Sequence, residues 1–269
     1  MRASARIVAE ADGRGGTRLA VLRGESPLLL RRTGPATAGG ATVHLVGGAA
    51  GPLRGDDLRL EIEVGPGAEL DVRSVAASLA LPGRPGMPPS RLAVRAAVAS
   101  GAALRWLPEP LIAASGCDHR TTTHVEVAAG GRLVWRDDLV CGRHGEPAGD
   151  VRTRTTIRYA GATLYRHDLA IGPDAPGWAG AAVLGGPPHE PAGAAQATDP
   201  PHKPSGAGWA TGSVIVAGPD LPPARVLPGD AAVMPLAGPG MLAVAVGTDI
   251  RAVRAALDPL CDPVPVPTG

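Results

Sequence analysis

The run Leu58-Arg59-Leu60-Glu61-Ile62-Glu63-Val64-Gly65-Pro66-Gly67-Ala68-Glu69-Leu70-Asp71-Val72 decides the fold. Before Gly65, apolar residues alternate with Arg59, Glu61 and Glu63. A period of two is the mark of a strand with one buried face. After Gly67 the alternation resumes at Ala68, Leu70 and Val72, so two strands flank a glycine-rich turn. Three further stretches repeat the arrangement: residues 92–98 and 102–107 around Gly101, residues 124–127 and 132–135 around Gly131, and residues 155–159 and 162–166 around Gly161. Glycine suits such turns because they demand positive φ. The four turn glycines, Gly67, Gly101, Gly131 and Gly161, are spaced by 34, 30 and 30 residues. A recurrence near this length predicts a mainly β chain, read as a β-helix-like solenoid of stacked hairpins. A β-sandwich with evenly spaced hairpins gives the same pattern, so both architectures stay open on periodicity alone.

Away from this region the signals thin out. Residues 185–208, rich in Pro and Gly with little apolar content, read as a flexible loop. Residues 213–216 and 241–246 read as further strands. Residues 248–260 give the clearest helix of one or two short ones: Thr248 or Asp249 offers a cap, Ile250, Val253, Arg254 and Leu257 share a face, and Asp258-Pro259 favours the end. Residues 261–269 read as a frayed tail. The whole of residues 1–269 is taken as one domain.

Composition narrows the function. Hydrophobic residues make up 44 % and charged residues 19 %, which suits a globular chain. The net charge of +1 leaves no global basic field for nucleic acid. No run approaches a membrane span, and residues 1–10 carry no apolar leader core. Three cysteines, Cys117, Cys141 and Cys261, are too few and too odd for a disulfide framework, so a reducing cytoplasm is expected. There is no phosphate loop of the GxxxxGK[ST] type, no GxSxG elbow and no HExxH. Cys117, His119 and His124 form C-x-H-x4-H, and Cys141 and His144 form C-x2-H, but neither is a closed metal pattern. Buried cysteines and exposed loop histidines explain them better than a metal site does. A carbohydrate- or protein-binding β-solenoid is the competing functional reading. The aromatic content of 2 % argues against sugar platforms, and core packing accounts for Trp106 and Trp135.

Several segments together carry a likeness. Val43-His44-Leu45-Val46 leads into Gly51-Pro52-Leu53-Arg54-Gly55-Asp56, then the strand at 58–64 and Gly65-Pro66-Gly67-Ala68. Leu104-Arg105-Trp106-Leu107-Pro108-Glu109-Pro110-Leu111-Ile112 follows, and later Gly142-Arg143 with Gly145-Glu146. In this order they resemble the UreD (UreH) family of urease accessory proteins, whose runs are of the form GG(I/L)VGGD, PGA, LEWLPQPxI and LGRxxxGE. The likeness covers residues 15–170 and fades beyond. It departs from the family at Arg54, where a glycine stands, and at residues 72–81, where the Lys and Tyr of a TTQAATKVYR-like segment are missing.

The resemblance implies a nearly all-β, β-helix-like fold and no catalysis. It implies a chaperone role in loading nickel into apo-urease, in a complex with UreF and the GTPase UreG, with a possible dimer of heterodimers formed through UreF. Nickel is implied as a transient passenger along an internal path, not as a permanent cofactor. Residue by residue, Asp56 matches the Asp of the GD motif, and Ser78 the small polar residue of an AAS/AAT segment. Asp137, or Asp138 beside it, matches an acid ahead of the GR pair, and His167 falls near a family Glu. These four positions are the expected path residues. Asp56 reads equally well as the cap of a turn beside Gly55.

Overall fold

The computed structural model describes residues 1–34, 39–178, 209–219, 221, 223–227 and 230–261. In chain order the strands are β1 (Arg2–Ala11), β2 (Thr17–Gly24), β3 (Leu28–Thr33), β4 (Ala41–Gly47), β5 (Asp57–Val64), β6 (Glu69–Ser74), β7 (Ser78–Ala80), β8 (Ser90–Val98), β9 (Ala103–Leu107) and β10 (Leu111–Ala113). They continue as β11 (Asp118–Val127), β12 (Arg132–Cys141), β13 (Asp150–Tyr159), β14 (Ala162–Ile171), β15 (Trp209–Ala217), β16 (Arg225–Leu227), β17 (Ala231–Pro235) and β18 (Gly240–Gly247), before helix α1 (Ile250–Leu257).

Two sheets face each other. The front sheet runs β14-β13-β11-β8-β5-β1-β2, and the back sheet β16-β17-β18-β15-β12-β9-β6-β4-β3. The short β10 pairs with β12 and β7 beside it. In the front sheet β1, β5, β8, β11 and β13 are parallel in register. In the back sheet β4, β6, β9 and β12 are parallel too. The chain climbs from one sheet to the other and back, a β-solenoid of about four turns.

The expected solenoid is therefore present, but three of its four hairpins are not hairpins. β5 pairs with β1 and β8, whereas β6 pairs with β4 and β9. The turn at Gly65-Pro66-Gly67 is an arch that carries the chain across the core. The turns after β8 and β11 do the same. In a hairpin the strands bond side by side; in an arch their apolar faces meet. Alternation is identical in the two cases, so the pattern could not separate them. Of the four, β13 and β14 alone form a true hairpin, antiparallel from Val151↔Ile171 to Tyr159↔Ala162. In the third arch the residue at positive φ is Gly130, at +78°, and not Gly131. Gly131 is needed for space, since a Cβ there would sit 2.9 Å from Val127 Cγ1 and 3.0 Å from the Ala99 carbonyl.

Ile7, Leu60, Ile62, Leu70, Val72, Val94, Leu104, Val125, Leu133, Trp135 and Ile157 fill the space between the sheets at the arch end. A smaller apolar group, with Cys117, Leu139, Cys141, Val151 and Ile171, closes the other end. Trp106 and Trp135 are both buried and stack on each other, so neither forms a surface platform.

Helix α1 is the expected one, shortened. Asp249 is its cap, accepting from the Arg251 N–H at 2.9 Å. Asp258-Pro259 ends the α-helix, and Asp258–Leu260 continues as one 3₁₀ turn. Val253 and Leu257 are buried on the outer face of the back sheet. Gly212 makes room there, because a Cβ would lie 2.6 Å from Asp138 Oδ1 and 2.9 Å from both helix side chains. Cys261, expected to begin a frayed tail, is instead buried, with its carbonyl held by Arg105 Nη2 at 2.6 Å. The loop expected at 185–208 and the tail from 262 lie outside the described residues. Among the described residues no helix is long and apolar enough to cross a membrane.

Candidate functional site

Between the two apolar groups the inner faces of the sheets turn polar. On β11 the inward positions run His119, Thr121, Thr123 before Val125 and Val127. On β13 they run Val151, Thr153, Thr155 before Ile157. Register places Thr121 beside Thr153 and Thr123 beside Thr155, and Ser90 of β8 beside His119. From the back sheet Asp137, two residues on from the buried Trp135, faces this band. The result is a lane of hydroxyl, imidazole and carboxylate groups running between the sheets.

The groups are linked. Ser90 Oγ and His119 Nδ1 lie 2.8 Å apart, and His119 Nε2 and Thr121 Oγ1 3.0 Å apart. His119 is 1 % exposed. Burial pulls its pKa down to about 4, with the Asp56 charge opposing, so the ring is neutral near pH 7. Asp137 Oδ2 accepts from Trp135 Nε1 at 3.1 Å and from Thr155 Oγ1 at 3.5 Å. Burial pushes this carboxyl up to about 6; the two hydrogen bonds pull the other way, and Asp138 adds repulsion. Tyr165 is pushed up to about 12 by burial and by Asp137. Its ring lies 6.0 Å from that of His167, and His167 is the cross-strand partner of Thr155. His167 is exposed, so this corner lies at the surface.

The residues anticipated from the family likeness separate into three places. Asp137 and His167 lie at the same corner, Asp137 accepting from Thr155 and His167 being the cross-strand partner of Thr155. Asp56 stands at the other end, near His119. Its Oδ1 lies 2.7 Å from the Met1 amino group, and its Oδ2 accepts the Leu53 N–H at 2.9 Å. It is thus a turn cap as well as a lane neighbour. Ser78 is exposed on β7, at the start of its pairing with β10, and its backbone N–H is held by the Pro110 carbonyl at 2.9 Å. It takes no part in the lane. Asp138 points outwards, to Arg136 Nε at 2.7 Å, so of the adjacent acids Asp137 alone faces the interior.

His119 and the threonines were missed as a site. The signal was there: polar residues at inward positions of strands whose remaining inward positions are apolar. Parity also dissolves C-x-H-x4-H. His119 and His124 are five apart on one strand and so face opposite ways; His124 lies outside, 2.9 Å from Glu126. Cys117 and Cys141 are buried, and burial pushes both thiols up to about 12. Among the described residues no group of three or more His, Cys, Asp or Glu is arranged to hold a metal ion.

The segment 104–112 runs beside Asp137 in the back sheet. β9 pairs with β12 up to Trp106↔Trp135, and β10 resumes the pairing at Leu111↔Leu139. Pro108-Glu109-Pro110 interrupts the ladder opposite Arg136, Asp137 and Asp138, where two prolines supply no N–H. Trp106 stacks on Trp135. Arg105 binds Asp71 at 3.1 Å and the Cys261 carbonyl, and Glu109 pairs with Arg254 of α1. This one segment therefore breaks the back sheet beside Asp137 and also docks the helix. The Gly142-Arg143 and Gly145-Glu146 motif closes the turn after β12, with Arg143 paired to Glu146.

Fold and site define a class: a two-sheet, arch-built β-solenoid with a polar lane through an otherwise apolar interior and a helix clamped to its back. The family model described as UreD urease accessory protein matches residues 1–263. The chain belongs to this family. It is similar to urease accessory protein UreD 3 of Streptomyces griseus, 46 % identical over 264 residues, covering 96 % of this chain and 95 % of the relative. It is similar also to urease accessory protein UreD of Parafrankia sp., 44 % over 297 residues with 99 % and 92 % covered. A third relative, urease accessory protein UreD of Streptomyces coelicolor, is 45 % identical over 263 residues, with 96 % and 94 % covered.

Proposed function

We propose that this protein assists the maturation of urease in the cytoplasm, without catalysing a reaction, by conducting nickel through the lane towards apo-urease. UreF and the GTPase UreG are its partners in this reading. Family membership supports the maturation role. The observation that carries the conduit is the lane itself, with Asp137 and His167 at one corner and His119 and Asp56 towards the other.

The chemistry suits passage better than storage. Ni²⁺ binds nitrogen and sulfur donors tightly, so a cage of them would trap it. Here the donors stand singly along a path, spaced by threonine hydroxyls that can carry water. The thiols of Cys117 and Cys141 are held protonated. The neutral His119 ring does not repel a cation. A partly desolvated Asp137 carboxyl gains from a passing positive charge, which offsets its burial. Energy for release comes from a partner, since the chain has no phosphate loop of its own.

The test is co-expression with the urease subunits and the other accessory proteins, with and without this chain. Urease activity and urease-bound nickel should both fall when it is left out. If neither changes, the maturation role is wrong. If both fall but Asp137→Ala with His167→Ala restores them as fully as the unaltered chain, the protein is a scaffold and the lane conducts nothing.

A further inference from the structure

The outer face of the front sheet carries an arrangement of charge that the lane does not use. Register places Arg91 of β8 beside Arg120 of β11, and Arg120 beside Arg152 of β13. All three are exposed. Neighbouring strands lie about 4.8 Å apart, so three guanidinium groups stand in one row across parallel strands. Like charges directly opposite each other destabilise a sheet. Asp57 of β5 stands beside Arg91 at the end of the row, and no carboxylate stands within the row between the three arginines. Arg120 reaches a carboxylate only at 4.0 Å, that of Asp118. Neither Arg91 nor Arg152 makes an ion pair among the described residues, although Arg152 lies within the field of Asp150. Arg91 and Arg120 also line a shallow groove of about 550 Å³, which Arg59 and Arg95 border from the next rows.

We infer that this row docks an acidic α-helix of a partner protein. Carboxylates on successive turns of a helix recur about every 5.4 Å, close to the strand spacing, so a helix laid across β8, β11 and β13 meets one arginine per turn. Guanidinium forks bind carboxylates in pairs of hydrogen bonds. Binding would also remove the repulsion within the row. A nucleic acid fits less well, because its phosphates run on past the row and would meet Asp57 beside Arg91 and Glu61 beside Arg95, whereas three turns of a helix end with the row. The inference is separate from the lane and survives or fails without it.

The probe is a labelled helical peptide with Glu at every fourth position, its Gln counterpart serving as control. Both are titrated into the full chain by fluorescence anisotropy at low salt. The Glu peptide should bind, the Gln peptide should not, and binding should weaken as salt rises. Arg91→Glu, Arg120→Glu and Arg152→Glu together should lower affinity by at least about tenfold. The equal charge change at Arg14→Glu, Arg23→Glu and Arg32→Glu, on exposed residues elsewhere, should leave it within about twofold. Circular dichroism confirms folding of each variant, and the Gln forms of the same three arginines replace the Glu forms if the latter do not fold. Equal loss in both triple variants would overturn the inference, as would no loss in the first. Tighter binding of single-stranded DNA of matched charge, lost in the first variant, would also overturn it and make the row a polyphosphate site.

Discussion

Trp106 of β9 and Trp135 of β12 stack with ring centroids 5.0 Å apart and an interplanar angle of 14°. They are adjacent in parallel register. Trp135 Nε1 also donates to Asp137, so the stack joins the apolar core to the polar lane. Trp135→Ala removes a fully buried ring and should cost about 3–5 kcal/mol. Urea unfolding followed by circular dichroism measures it. A cost under about 1 kcal/mol would mean that the stack contributes little beyond ordinary surface contact.

Asp138 should behave unlike its neighbour. Arg136 is 2 % exposed and lies between Asp138 and Asp258, with Oδ atoms at 2.7 and 2.6 Å. Asp138→Ala leaves that buried guanidinium paired with the exposed Asp258 alone and should cost about 1.5–3 kcal/mol. It should also loosen α1, seen as faster proteolysis after Leu257. A variant as stable as the parent, with no change in proteolysis, would remove this network from the account of how the helix is held.

Asp137→Asn should be neutral or stabilising near pH 7.5, by roughly 1–3 kcal/mol at most, because the shift from 3.8 to about 6 reports the burden of a buried charge. The raised carboxyl favours the folded state below pH 3.8, and that advantage is lost as pH rises through about 6. His119 does the opposite. Its depressed pKa favours the folded state above pH 6.5, and that advantage is lost as pH falls towards about 4. The two slopes oppose each other in the unaltered chain. Thermal melting should show stability rising with pH across this window in Asp137→Asn and falling in His119→Gln. Parallel slopes in the two variants would refute the assignment.

Urease activation should sort the four anticipated residues. Asp137→Ala and His167→Ala should lower bound nickel by roughly tenfold when combined, the scale of losing a metal-facing group. Ser78→Ala should change neither activation nor stability, within about 0.5 kcal/mol. Asp56→Ala should lower the melting temperature first, since it frees the Leu53 N–H and the Met1 amino group. Loss of activation in Ser78→Ala would place the path somewhere other than the lane.

Much of the candidate site was legible residue by residue and little of it as a site. Asp137 and His167 could be named from the family likeness. That they share a corner depends on β13 and β14 forming a hairpin whose register sets Thr155 opposite His167. Asp137 and Asp138 are indistinguishable as letters. Their roles divide because adjacent strand residues face opposite ways, and only the position of the core says which way is in. The inward Thr and His positions were visible as polar interruptions of an apolar period, but their meaning required a second sheet facing them.

The amino-acid sequence by itself determined that the chain is built of strands, where the turns fall, which side of each strand is apolar, that one capped helix closes the described chain, and which family it belongs with. Each of these is local: alternation, glycine at a turn, a carboxylate at a helix start. The tertiary structure alone decided that three turns are arches, that the repeats stack in parallel, and that Arg91, Arg120 and Arg152 stand in a row while His119, Thr121, Thr153, Thr155 and Asp137 line a lane. Those facts rest on hydrogen bonds between strands about thirty residues apart in sequence. Such partners are chosen by the packing of the whole core, and no short stretch of sequence carries that choice.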